Sequence, residues 1–244
     1  MIYLLAGLML MLVILSKSPT FKGFIGEVSV RSKLKKLNSK EYMILNDIML
    51  KKADGRTSQV DHIVISKYGV FVIETKNYTG WIVGNEKAEY WTQVIYKRKE
   101  KLYNPIRQNY GHIKAIEAAL DDTTIPIISI IAFSTRADLK LEPMSVEVIY
   151  TTKLVSTITK YNVPVLTGSQ VKHIHDILST STVNDRQERK QHVKVIKENL
   201  NVNRAKITSG ICPRCGNQLM KRNGKNGAFV GCNSYPRCRF TSNA

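Results

Sequence analysis

Three charged side chains within two apolar segments carry the strongest chemical signal in the sequence. Asp61 lies in the segment VDHIVIS (60–66), and Glu74 and Lys76 lie in the segment VFVIETK (70–76). Because side chains alternate along a β-strand, Glu74 and Lys76 should point to the same face. If the two segments pair as a hairpin, Asp61 lies opposite the region of Glu74 and Lys76. The three groups then converge near one strand end.

Such a group could hold a divalent metal ion. Two carboxylates bind hard cations such as Mg²⁺ or Mn²⁺ and leave coordination positions for water and phosphate oxygens. A neighbouring lysine can position or deprotonate the attacking water. An ordinary salt bridge between Lys76 and one acid is the alternative interpretation. The apolar setting favours the metal site, since unpaired buried charge is costly. His62 should face away from Asp61, which favours a packing role for it.

All four cysteines lie near the C-terminus, in a pattern that suits zinc. Cys212 and Cys215 form a C-x₂-C pair, and Cys232 and Cys238 follow. Four thiolates at this spacing are typical of a tetrahedral structural zinc site. Two disulfides are the alternative, which the tight first pair and a cytoplasmic location both disfavour.

Basic residues surround these cysteines. After Glu198 the sequence has no acidic residue and eight Lys or Arg residues. Basic side chains bind nucleic-acid phosphates. We predict that six of them contact DNA: Arg214, Lys221, Arg222, Lys225, Arg237 and Arg239. Phe229, Tyr235 and Phe240 could stack on unpaired bases or form the small core of the module. Core packing is the favoured role for Phe229.

The whole chain is strongly basic. It has 37 Lys and Arg residues against 19 Asp and Glu residues, a formal net charge of +18 among 244 residues. Such a field attracts polyanions, either nucleic acid or an anionic membrane surface. Hydrophobic residues make up 43% of the chain, which allows a packed core and argues against wholesale disorder. The length suits one domain of ordinary size and a small module.

Hydrophobic periodicity places the acids and the lysine in a mixed α/β arrangement. A helix is predicted over 24–37, with Phe24, Val28, Leu34 and Leu37 on its apolar stripe. A second helix opens at 104–105, where Asn-Pro suits a first turn. Strands are predicted at 42–50, 60–66, 70–75, 81–83, 90–97, 127–133 and 146–150, and a further helix at 168–178. This order predicts a mixed β-sheet flanked by helices. Residues 181–208 read as a helical or flexible linker.

The N-terminal segment has the composition of a membrane anchor. Residues 1–15 are almost entirely apolar and carry no charged side chain. An uncleaved anchor over residues 1–16 is favoured, because Lys17 and Lys22 follow the run and would stay on the cytoplasmic side. A cleaved signal peptide or a buried helix is the alternative, since the run spans about 23–25 Å against roughly 30 Å of hydrocarbon. We predict a single-pass protein of the cell membrane with its main domains in the cytoplasm.

The central part of the chain resembles a known family. Residues from Phe24 to about Leu120 look like the nuclease-related domain (NERD) family, a branch of the PD-(D/E)XK nuclease superfamily. The segments that carry the resemblance are Gly26-Glu27, GRTSQVDHIVIS (55–66), GVFVIETKNYTGWI (69–82), YWTQ (90–93) and NPIRQN (104–109). The whole match, in which these segments lie, spans roughly 100 residues.

The resemblance implies a restriction-endonuclease-like fold and a specific set of site residues. In the superfamily, an Asp and a Glu-x-Lys hold the metal and activate water, and the matching positions here are Asp61, Glu74 and Lys76. The superfamily often adds a helical acid, which matches Glu27, and a Gln from the helix that follows the strands, which matches Gln108.

The C-terminal segment has a resemblance of its own. Residues 212–240, CPRCGNQLMKRNGKNGAFVGCNSYPRCRF, resemble the C-terminal zinc finger of bacterial type I topoisomerases. That resemblance implies binding to DNA, often single-stranded.

These observations predict a nuclease-like domain at 21–135, an α/β extension of the same domain at 136–180, a linker at 181–208 and a zinc finger at 209–244. Metal-dependent hydrolysis of DNA is the favoured function, with Mg²⁺ or Mn²⁺ at one site, Zn²⁺ at the other and no small-molecule cofactor. The alternative is a non-catalytic DNA-binding or DNA-processing accessory protein that uses a nuclease fold.

Overall fold

The computed structural model describes residues 19–52, 55–182, 186–224 and 227–243. The chain divides into two compact units, with the boundary between Val183 and Asn184. The predicted anchor over residues 1–16 lies outside the described residues. Within the described ranges, no helix is both long enough and apolar enough to cross a bilayer.

The first unit is a mixed α/β structure. Its elements are α1 (Pro19–Leu34), β1 (Tyr42–Lys51), β2 (Thr57–Ser66), β3 (Gly69–Lys76), β4 (Gly80–Gly84), β5 (Tyr90–Ile95), β6 (Arg98–Tyr103), α2 (Pro105–Leu120), β7 (Ile127–Phe133), β8 (Ala137–Leu141), β9 (Glu147–Tyr150), a 3₁₀ turn (Thr151–Lys153), α3 (Leu154–Thr159) and α4 (Gly168–Thr180). A five-stranded sheet has the order β1-β2-β3-β7-β9, and a four-stranded sheet has the order β6-β5-β4-β8.

The five-stranded sheet combines antiparallel and parallel pairing. The β1, β2 and β3 strands are antiparallel neighbours, whereas β3, β7 and β9 are parallel. The predicted hairpin is confirmed, since β2 and β3 pair down to Ser66 and Gly69. Gly69 has a φ of +129°, and a Cβ there would lie 2.6 Å from Ile128 Cδ1, so only glycine fits this turn.

Helices cover both faces of this sheet, as the sequence predicts. Val30 and Leu34 of α1 pack with Phe71 on one face, whereas Ala115 and Ile116 of α2 belong to the core on the other face. The apolar stripe predicted for the first helix is only partly right. Leu34 and Leu37 are buried as predicted, but Phe24 and Val28 are 60% and 46% exposed, because the buried side of α1 runs through Val30 and Leu34.

The four-stranded sheet packs against the first through aromatic and aliphatic side chains. Trp91 of β5 stacks on Phe133 of β7, with ring centroids 6.2 Å apart, and Ile82 and Leu102 join the same cluster. The strand predicted over 90–97 is confirmed as β5, which ends at Ile95, but the turn that follows and the hairpin with β6 were not predicted. The segment has no glycine, proline or asparagine to mark the turn, and Tyr96 adopts a φ of +53° instead.

The second unit contains one long helix and a small sheet. Its elements are α5 (Arg186–Thr208), β10 (Leu219–Gly224), β11 (Gly227–Cys232) and β12 (Thr241–Asn243), with antiparallel order β10-β11-β12. The residues predicted as a helical or flexible linker therefore form a helix from Arg186 onward. The core of the small sheet is Cys212, Cys232 and Cys238, with Leu219 and Phe240 packed against them.

Candidate active site and metal centre

Glu74 lies at the centre of a buried network in the first unit. It sits near the C-terminal end of β3 and is 2% exposed. Its Oε1 is 2.7 Å from Lys76 Nζ, and its Oε2 is 3.0 Å from His112 Nε2. Burial alone would raise the pKa of Glu74, but Lys76 and His112 outweigh it and hold that pKa below its usual value. The carboxyl group is therefore held in its ionised form.

Asp61 lies beside this network because the strand ladder ends there. Backbone pairing between β2 and β3 starts at His62 and Ile73. Beyond that pair, the next backbone N–H of β3 bonds to the Asp61 side chain and not to the backbone of β2. Its Oδ2 accepts a hydrogen bond of 2.8 Å from the Thr75 backbone N–H. Burial and the nearby Glu74 raise the pKa of Asp61 well above its usual value. Neutralisation of that repulsion by a cation would favour the charged form.

The pairing between β1 and β2 is interrupted at the same position along β2. Asp47 of β1 has a φ of +57°, and it lies between the strand pairs Asn46–His62 and Ile48–Val60. The Asp47 Oδ1 accepts a 2.7 Å hydrogen bond from Gln59 Nε2. This break leaves Asp61 at a point where the sheet is interrupted on both sides.

Lys76 connects the strand to helix α2. Its Nζ donates a 2.8 Å hydrogen bond to Gln108 Oε1 as well as contacting Glu74. Burial would lower the pKa of Lys76, but the Glu74 carboxylate more than compensates and raises it. Lys76 is therefore held as an ammonium, which suits charge stabilisation better than proton abstraction.

Helix α2 is fixed to the sheet by the asparagines of the NPIRQN segment. Asn104 caps the helix, since its Oδ1 accepts a 2.9 Å hydrogen bond from the Ile106 N–H. Asn109 is fully buried, and its Nδ2 donates to Val72 O at 2.9 Å and to Ser129 Oγ at 2.8 Å. These bonds set the position from which Gln108 and His112, one turn apart on the same helix face, reach β3.

His112 is a member of the network that sequence reasoning missed. Its Nδ1 is 2.7 Å from Ser58 Oγ, and its Nε2 contacts Glu74. If the Ser58 hydroxyl donates to Nδ1, the ring hydrogen lies on Nε2 and points at Glu74. The one available signal was the four-residue spacing from Gln108, since the partners are 54 and 38 residues away along the chain.

Glu27 approaches the same region from α1. A Cβ added at Gly26 would lie 2.9 Å from Asn77 Cβ, so the helix can approach the end of β3 only because residue 26 is glycine. Burial and Asp47 raise the pKa of Glu27, and Glu27 in turn raises that of Asp61. The acid predicted to join the site is thus within electrostatic reach of it.

The oxygen donors of Asp61 and Glu74 fit a hard divalent cation. Each carboxylate oxygen has two acceptor positions, so the contacts with Lys76 and His112 leave acceptor positions on Glu74. The acids are not gathered as tightly as a metal cage. Among the described residues, the four cysteines alone form a cluster in which three or more ligand atoms all lie within 4.8 Å of one another.

The four cysteines form a centre that fits Zn²⁺. The Sγ atoms of Cys212 and Cys238 are 3.7 Å apart, and those of Cys215 and Cys232 are 3.4 Å apart, with no disulfide between them. A tetrahedral site with Zn–S bonds of about 2.3 Å separates its sulfurs by about 3.8 Å. Burial raises the pKa of Cys212 to about 12, whereas the backbone N–H of Asn217 lowers that of Cys215 to about 7.

The residues predicted to contact DNA are of three kinds. Arg214, Lys221, Arg237 and Arg239 have exposed side chains. Arg222 is half-buried and donates a 3.2 Å hydrogen bond to Cys232 O, which gives it a structural contact. Lys225 lies outside the described residues.

Phe229 lies across the small sheet. Its ring atoms lie 3.1 Å and 3.2 Å from the positions that Cβ atoms would take at Gly224 and Gly231. Those two glycines leave the space that the ring fills. Phe229 is half-buried, and it is not one of the side chains that pack against the cysteine core, so its favoured core role remains a prediction.

Two family models match this chain. A nuclease-related domain model matches residues 22–134, and a model of the topoisomerase DNA-binding C4 zinc finger matches residues 209–244. Both predicted resemblances are therefore confirmed.

Individual relatives agree with this division. An uncharacterized protein of Bacillus anthracis is 41% identical over 181 residues, which cover 73% of this chain and 85% of that protein. DNA topoisomerase 1 of Methanothermobacter thermautotrophicus is 59% identical over 32 residues, and that of Helicobacter pylori is 46% identical over 33. These two matches cover 13% and 14% of this chain but 4% of each topoisomerase. No solved structure matches the chain significantly.

Proposed function

Because this chain belongs to the nuclease-related domain family, we propose that it is a metal-dependent deoxyribonuclease whose zinc finger binds DNA. The observation that carries the proposal is the buried network around Glu74. A buried ion pair on strand β3, with the Asp61 carboxylate beside it, costs folding stability because charged groups are removed from water. Groups of this kind, with pKa values shifted by burial and by each other, are concentrated at functional sites. Family membership and the finger support DNA as the partner.

Each residue of the network has a role in this proposal. Asp61 and Glu74 supply oxygen ligands to Mg²⁺ or Mn²⁺. When bound, such a cation polarises a phosphate and lowers the pKa of its water. Lys76, held as an ammonium by Glu74, offsets charge on the phosphate oxygens, and Gln108 orients Lys76. Glu27 contributes negative charge beside Asp61, which strengthens cation binding.

The direct test is cleavage of plasmid and single-stranded DNA with added Mg²⁺ or Mn²⁺. Asp61→Asn and Glu74→Gln should each reduce the rate by at least about 10³-fold, since removal of a ligand disables the Lewis acid. Asp176→Asn is the matched control, because Asp176 is 59% exposed on α4. Equal rates in all four proteins would contradict the proposal.

A non-catalytic DNA-binding protein is the second candidate. One observation favours it: both Glu74 oxygens already have hydrogen-bonding partners, so the network is satisfied without a metal. DNA binding by the wild type, without turnover in Mg²⁺, Mn²⁺ or Ca²⁺, would support this candidate against the first.

Attachment to the membrane is a further part of the proposal, and it rests on the apolar composition of residues 1–15. The full chain should stay with cell membranes after a carbonate wash, and a chain that starts at residue 19 should not. Release of the full chain by the wash would remove the tether from the account.

A further inference from the structure

The outward face of the four-stranded sheet carries exposed aromatic rings. On the inward face, Ile82 and Trp91 are at most 1% exposed. On the outward face, Trp81, Tyr90 and Tyr103 are 55%, 43% and 45% exposed. A cluster of large apolar rings on a surface is unusual for a side with no partner. The outward face therefore has features of a contact surface, separate from the network around Glu74.

Strand register orders the outward residues in three rows. From β6 across to β8, the rows are Tyr103–Tyr90, then Lys101–Thr92–Val83–Lys140, then Lys99–Val94–Trp81–Asp138. Because strands rise about 3.3 Å per residue, the first and third rows are about 13 Å apart. We call the set Trp81, Tyr90, Tyr103, Lys99, Lys101 and Lys140 the aromatic–lysine face.

Each end of the aromatic–lysine face combines a ring with an ammonium group. Lys101 Nζ lies 6.0 Å from the ring centroid of Tyr90, and Lys140 Nζ lies 6.0 Å from that of Trp81. The rings of Tyr90 and Tyr103 meet edge to face, with centroids 5.8 Å apart and an angle of 74°. Aromatic surface and positive charge thus occur together at two positions.

The charge of this face selects among partners. Three lysines stand against one acid, Asp138, whose Oδ2 is 3.1 Å from Lys140 Nζ. A second copy of the chain would set lysines against lysines, which disfavours self-association. A single nucleic-acid strand offers phosphates to the lysines and free base faces to the rings. In a duplex the bases stack on each other and cannot reach the rings.

We infer that the aromatic–lysine face binds single-stranded nucleic acid. Bases stack on Trp81 and on the Tyr90–Tyr103 pair, and phosphates lie against Lys99 and Lys101. The inference deepens the proposed function, on which it rests in one respect: a strand held here is the substrate of the same domain. The binding itself needs no cleavage.

The test is fluorescence anisotropy of the zinc-loaded full chain with a labelled oligothymidylate, without added Mg²⁺ so that cleavage does not contribute. Trp81→Ala and Tyr103→Ala should each weaken binding about tenfold, the loss expected for one base–aromatic stack. Trp81→Phe should keep most of the affinity. Tyr110→Ala is the matched control, because Tyr110 is 59% exposed on α2 with Lys114 Nζ 5.4 Å from its ring.

Two further measurements separate this face from other contributions. The same series in a Cys232→Ser background removes binding by the zinc finger. Replacement of both Lys99 and Lys101 by alanine should reduce the slope of log affinity against log salt by about 1.4, at about 0.7 for each phosphate contact.

Three results would overturn the inference. The first is unchanged affinity in Trp81→Ala and Tyr103→Ala. The second is equal weakening for duplex and single strands, which would leave charge without stacking. The third is a wild-type dimer that Trp81→Ala dissociates in sedimentation experiments, which would assign the face to a second copy. A wild type that binds single strands but cleaves nothing would contradict the proposed function alone.

Discussion

The two candidate metal sites of this chain are built from very different spans of sequence. The four thiols of the finger lie between Cys212 and Cys238 and converge through one knuckle and one small sheet. The network around Glu74 needs Ser58 from β2, Lys76 from β3 and His112 from α2. A local site can be predicted from the spacing of its residues. For a site assembled by tertiary packing, the sequence indicates some of the residues but not the side chains from distant segments that contact them.

The two sites also differ in what holds them in place. The network lies in a unit with an extensive core of its own, so its geometry should not depend on a metal. The core of the finger is largely the cysteines themselves. Metal should therefore be structural in the finger, whereas in the nuclease-related unit it should be an added ligand of a site that is already folded.

Loss of zinc should produce the largest effect, and we expect that effect to be confined to the finger. Cys232→Ser, or zinc chelation, should unfold residues 211–243, because so small a segment lacks an adequate core. Hydrogen exchange measured by mass spectrometry should show lost protection there and unchanged protection in β1 to β9. Asn233→Ser, at an exposed neighbouring position, is the control. Retained protection in the zinc-free finger would show that zinc is not structural there, and the finger would then not differ from the first unit in this respect.

Lys76→Ala should be nearly as severe in activity. We expect cleavage to fall about 10²- to 10⁴-fold, because the ammonium group that is proposed to offset phosphate charge is lost. Metal affinity should not fall, since the substitution frees Glu74 Oε1. A cleavage assay beside calorimetric metal titration measures both, and weaker metal binding with retained turnover would reverse the assigned roles.

The same substitution tests the burial of the pair. Lys76→Ala should lower the free energy of unfolding of the metal-free protein by about 3–5 kcal/mol, the usual loss for a broken buried ion pair. Lys114→Ala removes the exposed Lys114–Glu117 pair of 2.6 Å and should cost much less, because solvent screens an exposed pair. Similar losses in both variants, measured by urea denaturation, would show that Lys76 is not held as described.

His112→Leu should have a moderate effect that sharpens the picture of an assembled site. Removal of the Nε2–H contact with Glu74 should weaken Mn²⁺ binding about 10- to 100-fold, as for groups that orient metal ligands. His112→Gln can still donate to Glu74 and should retain most of the affinity. Calorimetry decides, and a Gln variant as weak as the Leu variant would argue for packing alone.

Lys221→Ala should have the smallest effect. Lys221 is exposed on β10, so the variant should fold normally and reduce the salt slope of DNA binding by about 0.7–0.9. Arg222→Ala should in addition destabilise the finger, because the Arg222 side chain donates a hydrogen bond to Cys232 O. Anisotropy at several salt concentrations, with thermal melts, compares the two variants. Identical behaviour would mean that the Arg222 contact is unimportant.

Period-two alternation was enough to predict the hairpin and the common face of Glu74 and Lys76. Cysteine spacing was enough to predict the thiolate cluster. The roles assigned to Asp61, Glu74, Lys76, Glu27 and Gln108 remain predictions, although the structure brings Asp61 and Glu27 close to Glu74 and Gln108 to Lys76.

The missed features depend on packing between distant segments. His112 has no distinguishing local context, and its partners are identified only when α2 settles on β2 and β3. The β5–β6 turn could not be predicted from the sequence, because Tyr96 adopts the positive φ that glycine or asparagine usually adopts in such turns. The helix stripe was right at Leu34 and Leu37 and wrong at Phe24 and Val28, which are apolar yet exposed.

The central claim, that a carboxylate metal site exists beside the zinc site, is tested most directly by Mn²⁺ titration of the zinc-loaded protein. Electron paramagnetic resonance counts free Mn²⁺ without any need for turnover. We expect a single Mn²⁺ site for each chain, lost in Asp61→Asn and in Glu74→Gln and kept in Asp176→Asn. A wild type that binds no Mn²⁺, or binding that survives both substitutions at the site, would contradict the account.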